Sequence, residues 1–176
     1  MALVSQPIDY GHGPVQWRAQ GNSNLCWLTC IEMVMQWRHG NIYGVDADGD
    51  GSLRGTHAPE ARALMMRDSV SSMASHWRDY NLVPMEFLRH HGIDGWRDAI
   101  RTYGPIIAEG RYGWARIGWG EHVIVVVGVS ESGQIGYLNP NVMSTLPHPS
   151  SRLSYISLER LLSLADRYEA FWECRA

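Results

Sequence analysis

The spacing of apolar positions changes once along the chain, from a helical period in the first hundred residues to short β-branched runs after Pro105. Trp27, Leu28, Ile31, Val34, Met35 and Trp37 cover most of the circumference of a helix over 26–38, which predicts a core helix. It should end near His39 and Gly40, because glycine is the usual residue just past a helix C-terminus. Ala61, Leu64 and Met65 predict a helix over 59–68 with Pro59 in its first turn, and Met73, Ala74 and Trp77 predict another over 71–80. Asp94 is suited to cap a helix over 94–103 that Gly104-Pro105 stops. Strands are predicted over 106–108, 123–129, 134–138 and 153–156, with shorter ones over 15–18 and 85–88. Leu158, Leu161, Leu162 and Ala165 then predict a closing amphipathic helix over 157–172. Strands joined this closely should pair antiparallel, and helices followed by strands is the order of an α+β fold.

Composition narrows the picture. At 176 residues, 45% of them hydrophobic and eight of them tryptophan, the chain is expected to be one domain over 1–176 with a sizeable core. A formal charge of -3 gives no reason to expect nucleic acid or an anionic membrane as partner. No apolar run is long enough to span a bilayer, and the N-terminus lacks the charged and apolar regions of a signal peptide. The expected location is the cytoplasm, or a target cell reached through a specialised secretion system. Three cysteines, two of them one helical turn apart, predict reduced thiols and no disulfide framework. All fifteen basic residues are arginine, which removes any lysine-based chemistry and is most simply read as a codon bias toward arginine.

Within the first helix, Cys26 falls in the opening turn, preceded by Asn22, Ser23 and Asn24 as candidate caps. An isolated cysteine on an apolar helix is ordinarily an inert core thiol. At a helix N-terminus beside a histidine, however, its pKa can fall to about 3.5–7.5, which predicts a resting thiolate. Gln20, six residues upstream, can donate its side-chain amide to an oxyanion beside that thiol. The pattern Gln20-Gly21, four residues, Cys26-Trp27 resembles the active-site segment of papain-like cysteine proteases. In that family the glutamine is an oxyanion-hole donor, the cysteine is the nucleophile, and a histidine and an asparagine or aspartate follow far downstream.

The second half of the chain holds candidates for both partners. His122 opens an apolar strand and the next strand ends in Tyr137-Leu138-Asn139-Pro140, so an antiparallel hairpin can bring His122 and Asn139 together at its open end. The histidine would take the thiol proton and return it to the leaving amine while the asparagine holds the ring; Asn141 and Glu121 compete for that orienting role. Tyr103-Gly104-Pro105-Ile106-Ile107 also resembles the family, so the likeness runs from about residue 20 to 140. It implies a papain-like fold, an N-terminal helical part with the nucleophile helix packed on a C-terminal antiparallel sheet. It also implies a Cys-His-Asn endopeptidase without cofactor, acting on a protein or peptide through a thioester. The chain looks like the small bacterial members, the double-glycine leader peptidases and the secreted effector or toxin proteases, for which a cognate inhibitor or immunity protein is an expected partner. Many of those carry aspartate before the proline where this chain has Asn139.

Trp27, Trp114, Trp119 and Glu121 are the expected substrate-binding residues, the loop over 110–120 serving as a wall of the groove. Asp46, Asp48 and Asp50 resemble the first half of a calcium loop, but the twelfth position, His57, is not the bidentate glutamate such a loop needs. A solvated acidic loop is expected there, with a weak metal site as the alternative. For the function, the alternatives are a papain-fold amidase, deamidase or acyltransferase, acting on a cell-wall peptide or a glutamine side chain, and a binding module with a relict site.

Overall fold

A computed structural model describes residues 3–5, 14–18, 20, 26–39, 82–110, 122–140, 153–165 and 171–174. In chain order these form strand β1 (Leu3–Ser5), helix α1 (Cys26–His39), β2 (Leu82–Pro84), a 3-10 turn (Glu86–His90), α2 (Ile93–Tyr103), β3 (Ile106–Gly110), β4 (His122–Ser130), β5 (Ile135–Leu138), β6 (Leu153–Ile156), α3 (Leu158–Leu164) and β7 (Phe171–Cys174). The helices predicted over 59–68 and 71–80, and the Asp46, Asp48, Asp50 loop, lie outside the described residues. Helices and an antiparallel sheet make the class α+β.

The sheet order is β2-β7-β3-β4-β5-β6, with β1 also paired to β4, and every pairing is antiparallel. β4 is buried along its whole length, which explains why its sequence is an unbroken apolar run instead of an alternation. Val123, Val125 and Val127 face one cluster with Cys26, Trp27, Cys30, Ile31, Met33 and Val34 of α1. Ile124, Val126 and Val129 join the other, with Trp96, Ala99 and Ile100 of α2 and Leu161 of α3. A register shift between Val126 and Gly128 inserts the extra residue that puts Val127 and Val129 on opposite faces. Gly104 closes α2 with φ +94, and a Cβ there would lie 2.7 Å from the Trp37 ring, so its missing side chain lets α1 sit close against the start of β3.

Four boundaries differ from the sequence expectation. Residues 15–18 form no strand. The strand expected over 85–88 lies at Leu82–Pro84 on the sheet edge, and a 3-10 turn follows it; Pro84 lacks the N–H that an interior strand needs. Helix α2 is capped by Gly92 without a side-chain bond, and Asp94 sits in its first turn, paired to Arg97 at 2.5 Å. The closing helix keeps its Ser157 cap, whose hydroxyl accepts from the Arg160 N–H, but stops at Leu164. Beyond it, Phe171–Cys174 is recruited between β2 and β3, and Phe171 stacks edge-on against Trp96 at 4.9 Å. Tertiary pairing and aromatic burial override helical periodicity there.

One buried group in α1 opposes folding. Glu32 is 7% exposed, and among the described residues its Oε2 has no hydrogen-bond partner. Burial pushes its carboxyl up to about 7, with Arg18 opposing. A folded value above the ordinary 4.5 contributes stability below 4.5 that is lost as pH rises through 7. Glu32→Gln should therefore raise unfolding free energy at pH 8 by on the order of 3 kcal/mol, and the gain should vanish below pH 4.5. Denaturant titrations across that range measure it; a variant less stable than wild type at pH 8 contradicts it.

Candidate active site

Cys26 is the first residue of α1, packed against the start of β4. Backbone groups of Val123 and Trp27 favour its thiolate against burial. One helical turn on, Cys30 is fully buried and donates its S–H to the Val123 carbonyl at 3.3 Å. The two sulfurs therefore bracket Val123, and His122 is the residue before it. Trp27 is buried in the same apolar cluster as Cys26.

His122 begins β4 opposite Gly110, and its Nε2 lies 2.8 Å from Asn139 Oδ1. An amide oxygen only accepts, so Nε2 carries the ring proton and Nδ1 keeps the lone pair of a base. Asn139 follows the last residue of β5 and precedes Pro140. The carbonyl of Pro140 accepts the Gln20 backbone N–H at 3.0 Å, and that of Asn139 accepts the Trp17 indole N–H at 2.8 Å. Thus the Gln20 backbone, His122 and Asn139 lie at one end of the β4–β5 pair, and Cys26 packs with Val123, the residue after His122. Asn141, Glu121, Trp114 and Trp119 lie outside the described residues.

These contacts join an imidazole to an asparagine, tie the Gln20 backbone to the next residue, Pro140, and pack Cys26 in one cluster with Val123, the residue after His122. A family model described as papain-like cysteine protease AvrRpt2 matches residues 12–154. The chain belongs to that family. It is a cysteine peptidase. No curated protein matches the chain.

The peptidase departs from expectation in its electrostatics. Burial pushes the Cys26 thiol up instead of down; the Val123 and Trp27 hydrogen bonds oppose this, and the nearby Glu109 carboxylate adds to it. Burial likewise lowers His122, with the Asn139 bond opposing. A helix N-terminus favours a thiolate only as far as desolvation allows, and Cys26 is 9% exposed and His122 8%. Burial therefore disfavours the charged form of both groups.

Glu109 is the residue that sequence reasoning passed over. It is buried on β3 directly opposite Val123, in register with the face that carries Ile107 toward α1. An acid at the end of the apolar run Ile106-Ile107-Ala108 was the available signal. Trp17 also went unassigned, because the expected strand over 15–18 gave its indole no partner.

Alkylation by iodoacetamide reads the thiol directly. With the thiol raised above its ordinary 9.0, the Cys26 rate should still be climbing at pH 9. A rate already at its plateau at pH 7 would mean a resting thiolate.

Proposed function

We propose that the peptidase cleaves through Cys26 as nucleophile, His122 as general base and acid, Asn139 as the group that orients His122, and Gln20 as an oxyanion donor. The observation that carries this reading is the 2.8 Å contact of His122 Nε2 with Asn139 Oδ1, at a histidine followed by Val123, which packs with Cys26 in one cluster. As the Cys26 sulfur bonds the substrate carbonyl carbon, its proton passes to His122 Nδ1. The charge that develops on the carbonyl oxygen is met by the Gln20 side-chain amide. The imidazolium then returns its proton to the leaving amine, the C–N bond breaks and a thioester remains. Water attacks that thioester while His122 takes its proton, and Cys26 leaves as thiol.

The same reading assigns residues 1–176 to one papain-like domain in which an N-terminal helical part, including α1, packs on the antiparallel sheet. Trp114, Trp119 and Glu121 would wall the substrate groove, as the loop between β3 and β4 leads directly to His122. The substrate is a protein or peptide. Absence of lysine across 176 residues suits a protease delivered into another cell, where it leaves no acceptor lysine for ubiquitin, with a cognate inhibitor protecting the producer.

Cys26→Ala and His122→Ala should abolish peptide hydrolysis, whereas Cys30→Ser should leave it, since a hydroxyl can still donate to the Val123 carbonyl. Gln20→Ala should slow acylation by about 10²–10³. Asn139→Asp should retain more turnover than Asn139→Ala, because a carboxylate accepts the same ring proton. Turnover surviving in Cys26→Ala but lost in Cys30→Ser would move the nucleophile. Expression in a bacterial and a eukaryotic host tests the delivery reading: growth should fail with the wild type and recover with Cys26→Ala, and normal growth of both hosts with demonstrably active enzyme would remove it.

A further inference from the structure

The described part of the segment ahead of the nucleophile, residues 14–18 and 20, has no regular secondary structure, yet it is anchored on both sides. Toward α1, the Arg18 backbone N–H donates to Met33 Sδ at 3.3 Å, and its guanidinium donates twice to Gln36 Oε1, from Nε at 2.7 Å and from Nη2 at 2.5 Å. Toward the sheet, the Trp17 indole N–H donates to the Asn139 carbonyl at 2.8 Å and the Gln20 backbone N–H to the Pro140 carbonyl at 3.0 Å. Neighbouring residues 17 and 18 thus grip opposite elements, so the segment staples the helix that bears Cys26 to the turn that bears Asn139.

That turn needs an external hold. The last registered pair of β4 and β5 is Val125 with Leu138, so Asn139 lies one residue beyond the ladder. Pro140 has no N–H with which to extend it, and it restricts Asn139 to extended backbone without fixing its position. Asn139 is nonetheless 7% exposed, and its side chain must meet His122 at hydrogen-bond distance. A rigid indole with a single donor is well suited to fix a buried carbonyl.

We propose that Trp17 is a positioning residue of the peptidase: its indole N–H fixes the Asn139 carbonyl, and through Asn139 it sets the His122 ring. The inference rests on the Cys-His-Asn reading above and adds a residue to it. A shift of the asparagine by a fraction of an ångström turns the imidazole away from the thiol, and displacements of about 1 Å can lower rates by up to 10²-fold.

The test is a double-mutant cycle of Trp17→Phe and Asn139→Ala, with kcat expressed per Cys26 thiol titrated by an irreversible reagent so that loss of folded protein does not enter. Trp17→Phe should lower kcat by roughly 10-fold to 100-fold with KM changed little. In the Asn139→Ala background the same substitution should lower it no further. An equal loss in both backgrounds, or no loss in the first, overturns the role of Trp17 while leaving the triad standing. An Asn139→Ala enzyme with wild-type kcat overturns the triad reading, and this inference with it. If Trp17→Phe does not fold, the cycle is run with benzothienylalanine at position 17, which replaces the N–H by sulfur at nearly constant shape, and the same outcomes decide.

Discussion

The hydrogen bond between His122 and Asn139 depends on the register of β4 against β5. The pairing of Val125 with Leu138 ends the ladder, and it leaves Asn139 one residue past β5, where its Oδ1 meets His122 Nε2 at 2.8 Å. A slip of one residue would turn either side chain to the other face. That register is strongly specified because both faces of β4 are buried, one against α1 and the other against α2 and α3. The shift between Val126 and Gly128 lies on the far side of this pairing, so the strand regains a residue without disturbing the end that matters. The two apolar clusters are therefore part of the site, since they hold β4 in the one alignment that lets His122 meet Asn139.

Burial that secures the geometry also sets the chemistry. It raises the Cys26 thiol and lowers His122, so it disfavours the charged form of each. Glu109, buried opposite Val123, pushes in the same direction. In the proposed mechanism, reactivity depends on how well the imidazole is placed to take a proton during attack, which gives weight to the supports of Asn139. In α1 the same low-polarity surroundings leave Glu32 as a group that weakens the fold above neutral pH.

Much of this was legible in the sequence because it follows from short-range rules. The apolar circumference of 26–38 gave the core helix with Cys26 at its start, and the β-branched runs gave β3 to β6, with His122 and Asn139 at the open end of one hairpin. Long-range choices were not legible. Phe171–Cys174 continues a helical pattern locally and becomes a strand only because the gap between β2 and β3 needs filling. Trp17 reads as one more apolar residue until the Asn139 carbonyl, 122 positions away, is seen to need a donor. Desolvation of Cys26 belongs in this group too, since a helix N-terminus and a histidine alone point to a thiolate, and only the packed sheet reverses the sign.

Reaction with a papain-directed epoxide inhibitor, followed by mass mapping of the adduct, tests most directly whether Cys26 works as a nucleophile served by His122. The expected result is one adduct per chain, on Cys26, formed at a rate that collapses in His122→Ala although Cys26 is still present. Labelling at Cys30 or Cys174, or an undiminished rate at Cys26 without His122, would contradict it.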